Sequence, residues 1–396
     1  MKKFLPIILG SDENAYGCAR MFYEINGEKS LLMCSRALLS CDNSGILTRR
    51  VIKDFDTDPV FGSVMKSVLS SLRNEAENLI LISCSDYYAE LVVNNAEMIR
   101  KYVASPILSE EVYRKICGKI RFAKLCRETG LPHPKTRAAL PSALVSGSYP
   151  EKFPVVIKPM NSNSTEYLKC EIPGKKKVYI CENADRYKKT LENLLVGGYN
   201  RPVVVQEYIG GGEKNSRVVN AYCDGEGRVR LIGAARPLLE YKTDTELGNY
   251  AAVEIIRDRN LCDMAADFLE KTGYVGYANF DIRYDEKTGQ NMFLELNPRQ
   301  GRSSYYIHTA GENFMKAVYD DAVLKKPYEG RRYAEKPGVW INEPKILLEK
   351  KLTDTEDEYT VRYGKTDTAF RLKGDFSLPR AVTLLKRYAI SISGKQ

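Results

Sequence analysis

Two carboxylates, an amide and two guanidinium groups lie close together in one stretch, residues 276–306, GYANFDIRYDEKTGQNMFLELNPRQGRSSYY. Residues 278–284 and 291–297 are rich in strand formers, and DEKTGQ between them has turn chemistry. A hairpin folded about Thr288 sets Asp281 opposite Glu295. Asn297 then shares the face of Glu295, because strand side chains alternate with period two. Arg299 and Arg302 follow just beyond the strand end. Like charges facing each other across a strand pair destabilise a sheet, and an oxygen-ligated divalent cation would offset that cost. The competing reading is a solvated hairpin whose acids are incidental.

Other candidates are dispersed. Lys158 ends the apolar run FPVVIK and precedes Pro159, so it could present a partly desolvated point charge to a phosphate. It could equally snorkel to water from a strand end. Lys119 opens a helical segment after Gly118 and could supply a second cation, or be an exposed helical lysine. In VVVQEYIGGGE, the apolar face and the peptide groups of Glu207 and Ile209 suit the edge of an adenine, and Glu213 could take ribose hydroxyls. Each of these could also be structural.

The elements that must position these residues follow an α/β grammar. Apolar runs at 4–9, 30–34 and 78–83 alternate with helical segments at 16–24 and 59–74, the βαβ pattern of a doubly wound parallel sheet. GSDENAYG after the first strand is not GxGxxG, so a dinucleotide fingerprint is absent and an NAD-linked dehydrogenase is disfavoured. From Ser109 to Gly130 the chain reads as one helix, capped by Ser109 and stopped by Gly130. A small α+β module follows, with strands at 153–158, 175–181 and 202–209 and a helix from the Asn183 cap to Val196. SLPRAVTLLKRYAISI, residues 377–392, reads as a terminal amphipathic helix capped by Ser377, docked with a solvated basic face rather than lying on a membrane.

The bulk properties narrow the function. A chain of 396 residues holds two or three domains with real cores. The net charge of +9 comes from scattered lysines and arginines with no long basic block. That pattern argues against nucleic acid and for anionic ligands. Ten cysteines without a CxxC and only two histidines disfavour zinc and fit a reducing cytoplasm. The opening MKKFLPIILG is too short an apolar run for a signal peptide and reads as a first strand. No apolar stretch approaches membrane-spanning length.

Taken in order, lysine before a helix, GLPHPKT, strand plus lysine, QEYI and then FD…LELNPR resemble the ATP-grasp superfamily. ILGSDENAYGCAR, IKPMNSNSTEYL, GKKKVY and ELNPRQGRSSYY look like its bacterial D-aspartate ligase branch. The resemblance spans roughly residues 2–326 and implies an α/β and α+β fold. An N-terminal Rossmann-like domain (1–108) would precede an ATP-grasp domain (109–330, lid about 137–208) and a C-terminal extension (331–396). It implies phosphate contacts from Lys119 and Lys158, and an adenine site at Gln206, Glu207, Tyr208 and Ile209. Glu213 would hold the ribose, and Asp281, Glu295 and Asn297 would bind Mg2+ or Mn2+. Arg299 would stabilise the transition state. Beside the resemblance, Arg236 in GAARPLLEYK could add a further cation or equally be an ordinary strand arginine, and Arg302, Ser303 and Ser304, directly after the metal strand, could fix the amino-acid carboxylate. The activity implied is ATP-dependent carboxylate–amine ligation through an acyl phosphate. The substrates would be D-aspartate and the lysine of a peptidoglycan stem peptide, on a UDP-linked or lipid-linked muropeptide. A homodimer in the cytoplasm, with no stable membrane insertion, completes the expectation. Ligation of another amino acid or peptide, or nucleotide binding without catalysis, are the rival readings.

Overall fold

The computed structural model describes residues 2–147, 150, 152–160, 164–241, 249–345 and 366–393. The chain divides into two compact units. One comprises Met1–Tyr113, Ser216–Phe280 and Asn297–Gln396, and the other Arg114–Asn215 and Asp281–Leu296.

The first unit begins with β1 (Leu5–Leu9), β2 (Ser30–Cys34), β3 (Leu47–Val51) and β4 (Leu79–Ser83), a parallel sheet of order β3-β2-β1-β4. Every residue of β1 is buried, as expected of a parallel strand covered on both faces. Ile8 joins a core with Tyr16 and Phe22 of the helix Glu13–Asn26. Ile7 and Leu9 join a separate one with Met65 and Leu69 of the helix Val60–Leu72. The expected doubly wound arrangement is therefore present. β3 was not legible: LTRRV exposes four of its five residues, and such a strand carries no alternation to read.

The second sheet holds β9 (Ser216–Cys223), β10 (Val229–Glu240), β11 (Tyr250–Ile256), β12 (Gly276–Asp285), β13 (Gln290–Asn297), β14 (Arg332–Tyr333), β15 (Val339–Ile341) and β16 (Thr366–Asp367). Its order is β13-β12-β9-β10-β11-β15-β16, with β14 on β10. The expected hairpin exists as β12 and β13. Residues past 330, which match no motif, supply three of these strands.

In the second unit, β5 (Thr136–Ala139), β6 (Val155–Pro159), β7 (Tyr179–Cys181) and β8 (Val203–Glu207) form an antiparallel sheet of order β5-β8-β6-β7. Tyr187, Leu191 and Leu194 of the helix Ala184–Val196 pack on Val155, Ile157, Val203 and Val205. Asn183 caps that helix, accepting from Arg186 N–H at 2.9 Å. The segment read as one helix is two, Glu110–Ile116 and Lys119–Thr129, because Gly118 turns the chain at φ +102°. Ser109 caps the former and Gly130 closes the latter in the left-handed conformation.

The terminal helix, Leu378–Ser393, docks within the first unit, but its faces are inverted relative to expectation. Arg380 is 2% exposed and Arg387 8%, while Leu378 and Leu385 are 77% and 68% exposed. Arg380 lies 4.4 Å from the Tyr16 ring centroid and donates to the carbonyls of Ser40 and Asp42 at 2.8 Å each. A dense set of acceptors overrides the general cost of burying a guanidinium. No helix among the described residues is long and apolar enough to cross a membrane.

Candidate active site

Antiparallel pairing of β6 with β8 sets Lys158 diagonal to Gln206. Lys158 Nζ donates to Gln206 Oε1 at 3.1 Å, and Gln206 Nε2 donates in turn to Thr136 Oγ1 at 3.0 Å. The amide is thus held by β5 while it fixes the lysine. Burial pushes the Lys158 ammonium below the ordinary lysine range. Glu295 and Asp281 pull it back up, while Lys119 and Arg283 push it further down. Those five charged groups therefore share one electrostatic neighbourhood within the second unit. Lys119 Nζ donates to the Met160 carbonyl at 3.4 Å, and Arg283 donates to the Gly212 carbonyl. Among the described residues, all three cations bond to neutral oxygens and none forms an ion pair.

Arg283 was missed by the sequence reading. Its signal was present, since it stands two residues from Asp281 on β12 and so shares that residue's face. Gln206 is buried and serves the lysine. The Glu207 N–H donates to the Lys135 carbonyl at 2.9 Å and the Tyr208 N–H to the Pro154 carbonyl at 3.3 Å. Of the expected adenine donors, Ile209 is the one whose N–H these bonds leave over. Glu213 opens a short 3-10 turn, and its side chain lies outside the described residues. So do Ser162 and Asn163 of the expected lid loop.

The first unit holds the remaining candidates, of which Arg302 lies beside the turn that follows β1. Gly10, at φ +132°, leads into Asp12, which caps the helix Glu13–Asn26 by accepting from Ala15 N–H at 3.0 Å. Arg302 Nε lies 3.3 Å from Asp12 Oδ2 and 3.7 Å from Glu13 Oε1. Burial and the adjacent Glu13 raise the Asp12 carboxyl above its usual range, against the pull of Arg302. Burial also acts to raise Glu13, but Arg302 and Arg387 outweigh it and hold that carboxyl low. Arg299 grips Asp86 with two bonds, Nε to Oδ1 at 2.8 Å and Nη2 to Oδ2 at 3.0 Å. Arg236 pairs with Glu254, its direct partner across β10 and β11. Asn297 Nδ2 donates to Asn279 Oδ1 at 3.2 Å.

Ser303 and Ser304 are buried, and the Ser304 hydroxyl donates to Asn14 Oδ1 at 3.4 Å. They sit beneath the loop, whereas Arg302 is about one-third exposed. Asp12 and Glu13 were marked from sequence only as part of the GSDENAYG loop, and Asp86 was not marked at all. Asp86 is 213 residues from Arg299, and no local pattern links them.

The chain is 33% identical to a D-aspartate ligase of Enterococcus faecium, over 98% of this chain and 94% of that protein. No family model matches it. In three dimensions it is similar to an L-amino acid ligase from Bacillus licheniformis, at TM-score 0.57 and 14% identity, covering 82% of this chain and 75% of that one. It is also similar to a biotin carboxylase from Campylobacter jejuni, at TM-score 0.59 and 14% identity, covering 84% and 73%. At that identity the two structures speak for the fold, which is ATP-grasp.

Proposed function

The chain belongs to the D-aspartate ligase family, and from that premise we propose that it activates D-aspartate with ATP and joins it to the stem-peptide lysine of a peptidoglycan precursor. The reaction class is ATP-dependent carbon–nitrogen ligation. A carboxylate oxygen attacks the γ-phosphorus, the bond to the bridging oxygen breaks and ADP leaves. The amine nitrogen then attacks the acyl carbon, inorganic phosphate leaves, and the nitrogen loses its proton as the amide forms.

One observation in this chain carries the assignment of the phosphate end. Lys119, Lys158 and Arg283 are held in place by neutral oxygens, so their charge is oriented without being cancelled. That arrangement suits a polyanion whose transfer depends on positioning and charge neutralisation. We assign Lys119 and Lys158 to the phosphates and Gln206 to positioning Lys158. The Ile209 N–H would meet the adenine and Glu213 the ribose. Asp281, Glu295 and Asn297 offer two carboxylates and an amide oxygen, a donor set of the kind that hard divalent cations take. Magnesium held there would supply neutralisation of phosphate oxygens. Arg299 and Arg236 would meet charge developing in transfer, and Arg302 the amino-acid carboxylate, with Ser303 and Ser304 supporting its loop.

The test is incubation with Mg-ATP and each D- and L-amino acid, with and without a lysine-containing stem peptide, following phosphate release and product mass. D-aspartate with the peptide is expected to release phosphate and add one aspartyl residue. Turnover of another acid with aspartate inert overturns the substrate assignment. No release with any pair overturns the ligase reading itself.

A further inference from the structure

Just past β15, Asn342 and Glu343 are both buried, 3% and 4% exposed. The Asn342 N–H donates to the Ala251 carbonyl at 2.8 Å, and Arg387 Nη1 donates to the Asn342 carbonyl at 3.1 Å. The backbone is therefore pinned from two sides. Asn342 Nδ2 donates to the Tyr241 hydroxyl at 3.1 Å, and that hydroxyl lies 2.6 Å from Glu343 Oε1. Burial and the adjacent Glu343 carboxylate raise the phenol far above its ordinary value, so it keeps its proton and donates. The direction of the chain is then fixed, running from amide to phenol to carboxylate.

This leaves an open acceptor at each end. Neither Asn342 Oδ1 nor Glu343 Oε2 has a hydrogen-bond partner among the described residues, although both are cut off from solvent. A bare buried carboxylate oxygen is costly, and a partner that satisfies both ends must bring at least two donors. A primary ammonium has three and carries the charge the carboxylate lacks. Arg387 is already bonded to Asn342 and lies 4.5 Å from the Phe370 ring centroid. The surroundings connect this corner to the amino-acid end of the site. Glu13 and Arg387 both act electrostatically on Tyr241, and Arg302 and Arg387 both act on Glu13.

We propose that the C-terminal extension supplies a subsite for a primary ammonium group, formed by Glu343 and Asn342 and oriented by Tyr241. This deepens, and rests on, the ligase reading, in which two substrates carry such a group. One is the α-ammonium of aspartate. The other is the lysine side chain of the acceptor, which would bind as ammonium and lose a proton before attack. The extension is then part of substrate selection.

The experiment compares wild type, Glu343→Gln and Tyr241→Phe in the intact chain. It measures KM for ATP, D-aspartate and the stem peptide. It also measures inhibition by D-malate and by a peptide ending in a hydroxyl in place of the lysine amine. Glu343→Gln is expected to raise one amine substrate's KM roughly 10- to 100-fold, the worth of a charge-assisted hydrogen bond. It should leave the KM for ATP unchanged and erase the preference of that substrate over its hydroxyl analogue. Whichever substrate responds identifies the source of the ammonium. Tyr241→Phe, which keeps the ring, should raise the same KM by less. Thermal stabilisation by D-aspartate against D-malate, and by the two peptides, reads the same discrimination without turnover. An active wild type with no change in KM or discrimination in either variant overturns the subsite and leaves a bridging water as the occupant. A wild type that makes no product overturns the ligase reading instead, and the stabilisation assay then decides the subsite alone.

Discussion

The two units treat the cations of the candidate site in opposite ways, and Arg380 of the terminal helix follows the first pattern. In the first, Arg299, Arg302, Arg236 and Arg380 each hold a carboxylate, on Asp86, Asp12, Glu254 and Asp375. In the second, Lys119, Lys158 and Arg283 hold a peptide carbonyl or an amide oxygen. The contrast does not follow from any lack of acids, because the second unit also forms ordinary surface pairs such as Arg201 with Glu166 and Lys214 with Glu286. A paired guanidinium is well positioned, but an incoming anion must compete for it. An oriented cation on a neutral acceptor keeps its field for the ligand. Under the proposed reading, cations of the second kind would meet phosphate with their charge uncancelled, whereas Arg299, Arg236 and Arg302 would have to share theirs with a carboxylate already in place.

The largest expected effect tests the paired class. Arg380→Met leaves Asp375 buried without its cation and removes the tie to the 40–42 loop. It should cost about 3–5 kcal/mol of stability, read as a lowered midpoint in denaturant. Activity per folded molecule should be unchanged. A loss of turnover at intact stability would show that the pairing has a catalytic role. Next, Lys158→Ala should lower turnover by about two to three orders of magnitude in an ADP-release assay. Its melting temperature should hold or rise, because removing an unpaired buried charge relieves a desolvation cost. If instead stability drops sharply, Lys158 belongs with Arg380 as a structural cation.

The pH dependence sharpens the same division. Burial lowers the Lys158 folded-state value below the ordinary 10.5, so the charged form is lost earlier as pH rises. The alkaline limb of kcat/KM for ATP should therefore fall below 10.5, and Lys158→Arg should remove it. For stability the sign reverses from that of a paired lysine. Between the folded and unfolded values the unfolded chain binds more protons, so this residue's contribution to stability rises with pH there. The smallest effect is expected at Asp12→Asn, which keeps the helix cap but loosens the hold on Arg302. The KM for the amino acid should change about threefold, the scale of a partly exposed ion pair. A change of a hundredfold would mean that Asp12 itself contacts substrate.

Much of the scaffold was readable because the signals were local. β2, the Asn183 cap and the Gly130 stop follow from apolar runs, one polar side chain and one left-handed glycine. The strand expected at 175–181 shrinks to Tyr179–Cys181, because the GKKK run before it has no apolar face to bury. At the site, FD…LELNPR marked the hairpin, yet it could not show that Gln206 would hold Lys158 or that Asp86 would hold Arg299. Those partners lie 48 and 213 residues away in sequence.

The sequence by itself determined the order of elements, the hairpin and the residue types proposed to meet a phosphate, because alternation, turn chemistry and motif spacing are short-range properties. Tertiary structure decided which cations would be neutralised and which left open, and which face of the last helix turns inward. It also brought Glu343 and Tyr241 together from positions 102 residues apart. Charge compensation depends on distance in space, and the chain fixes that distance only when its sheets and helices pack.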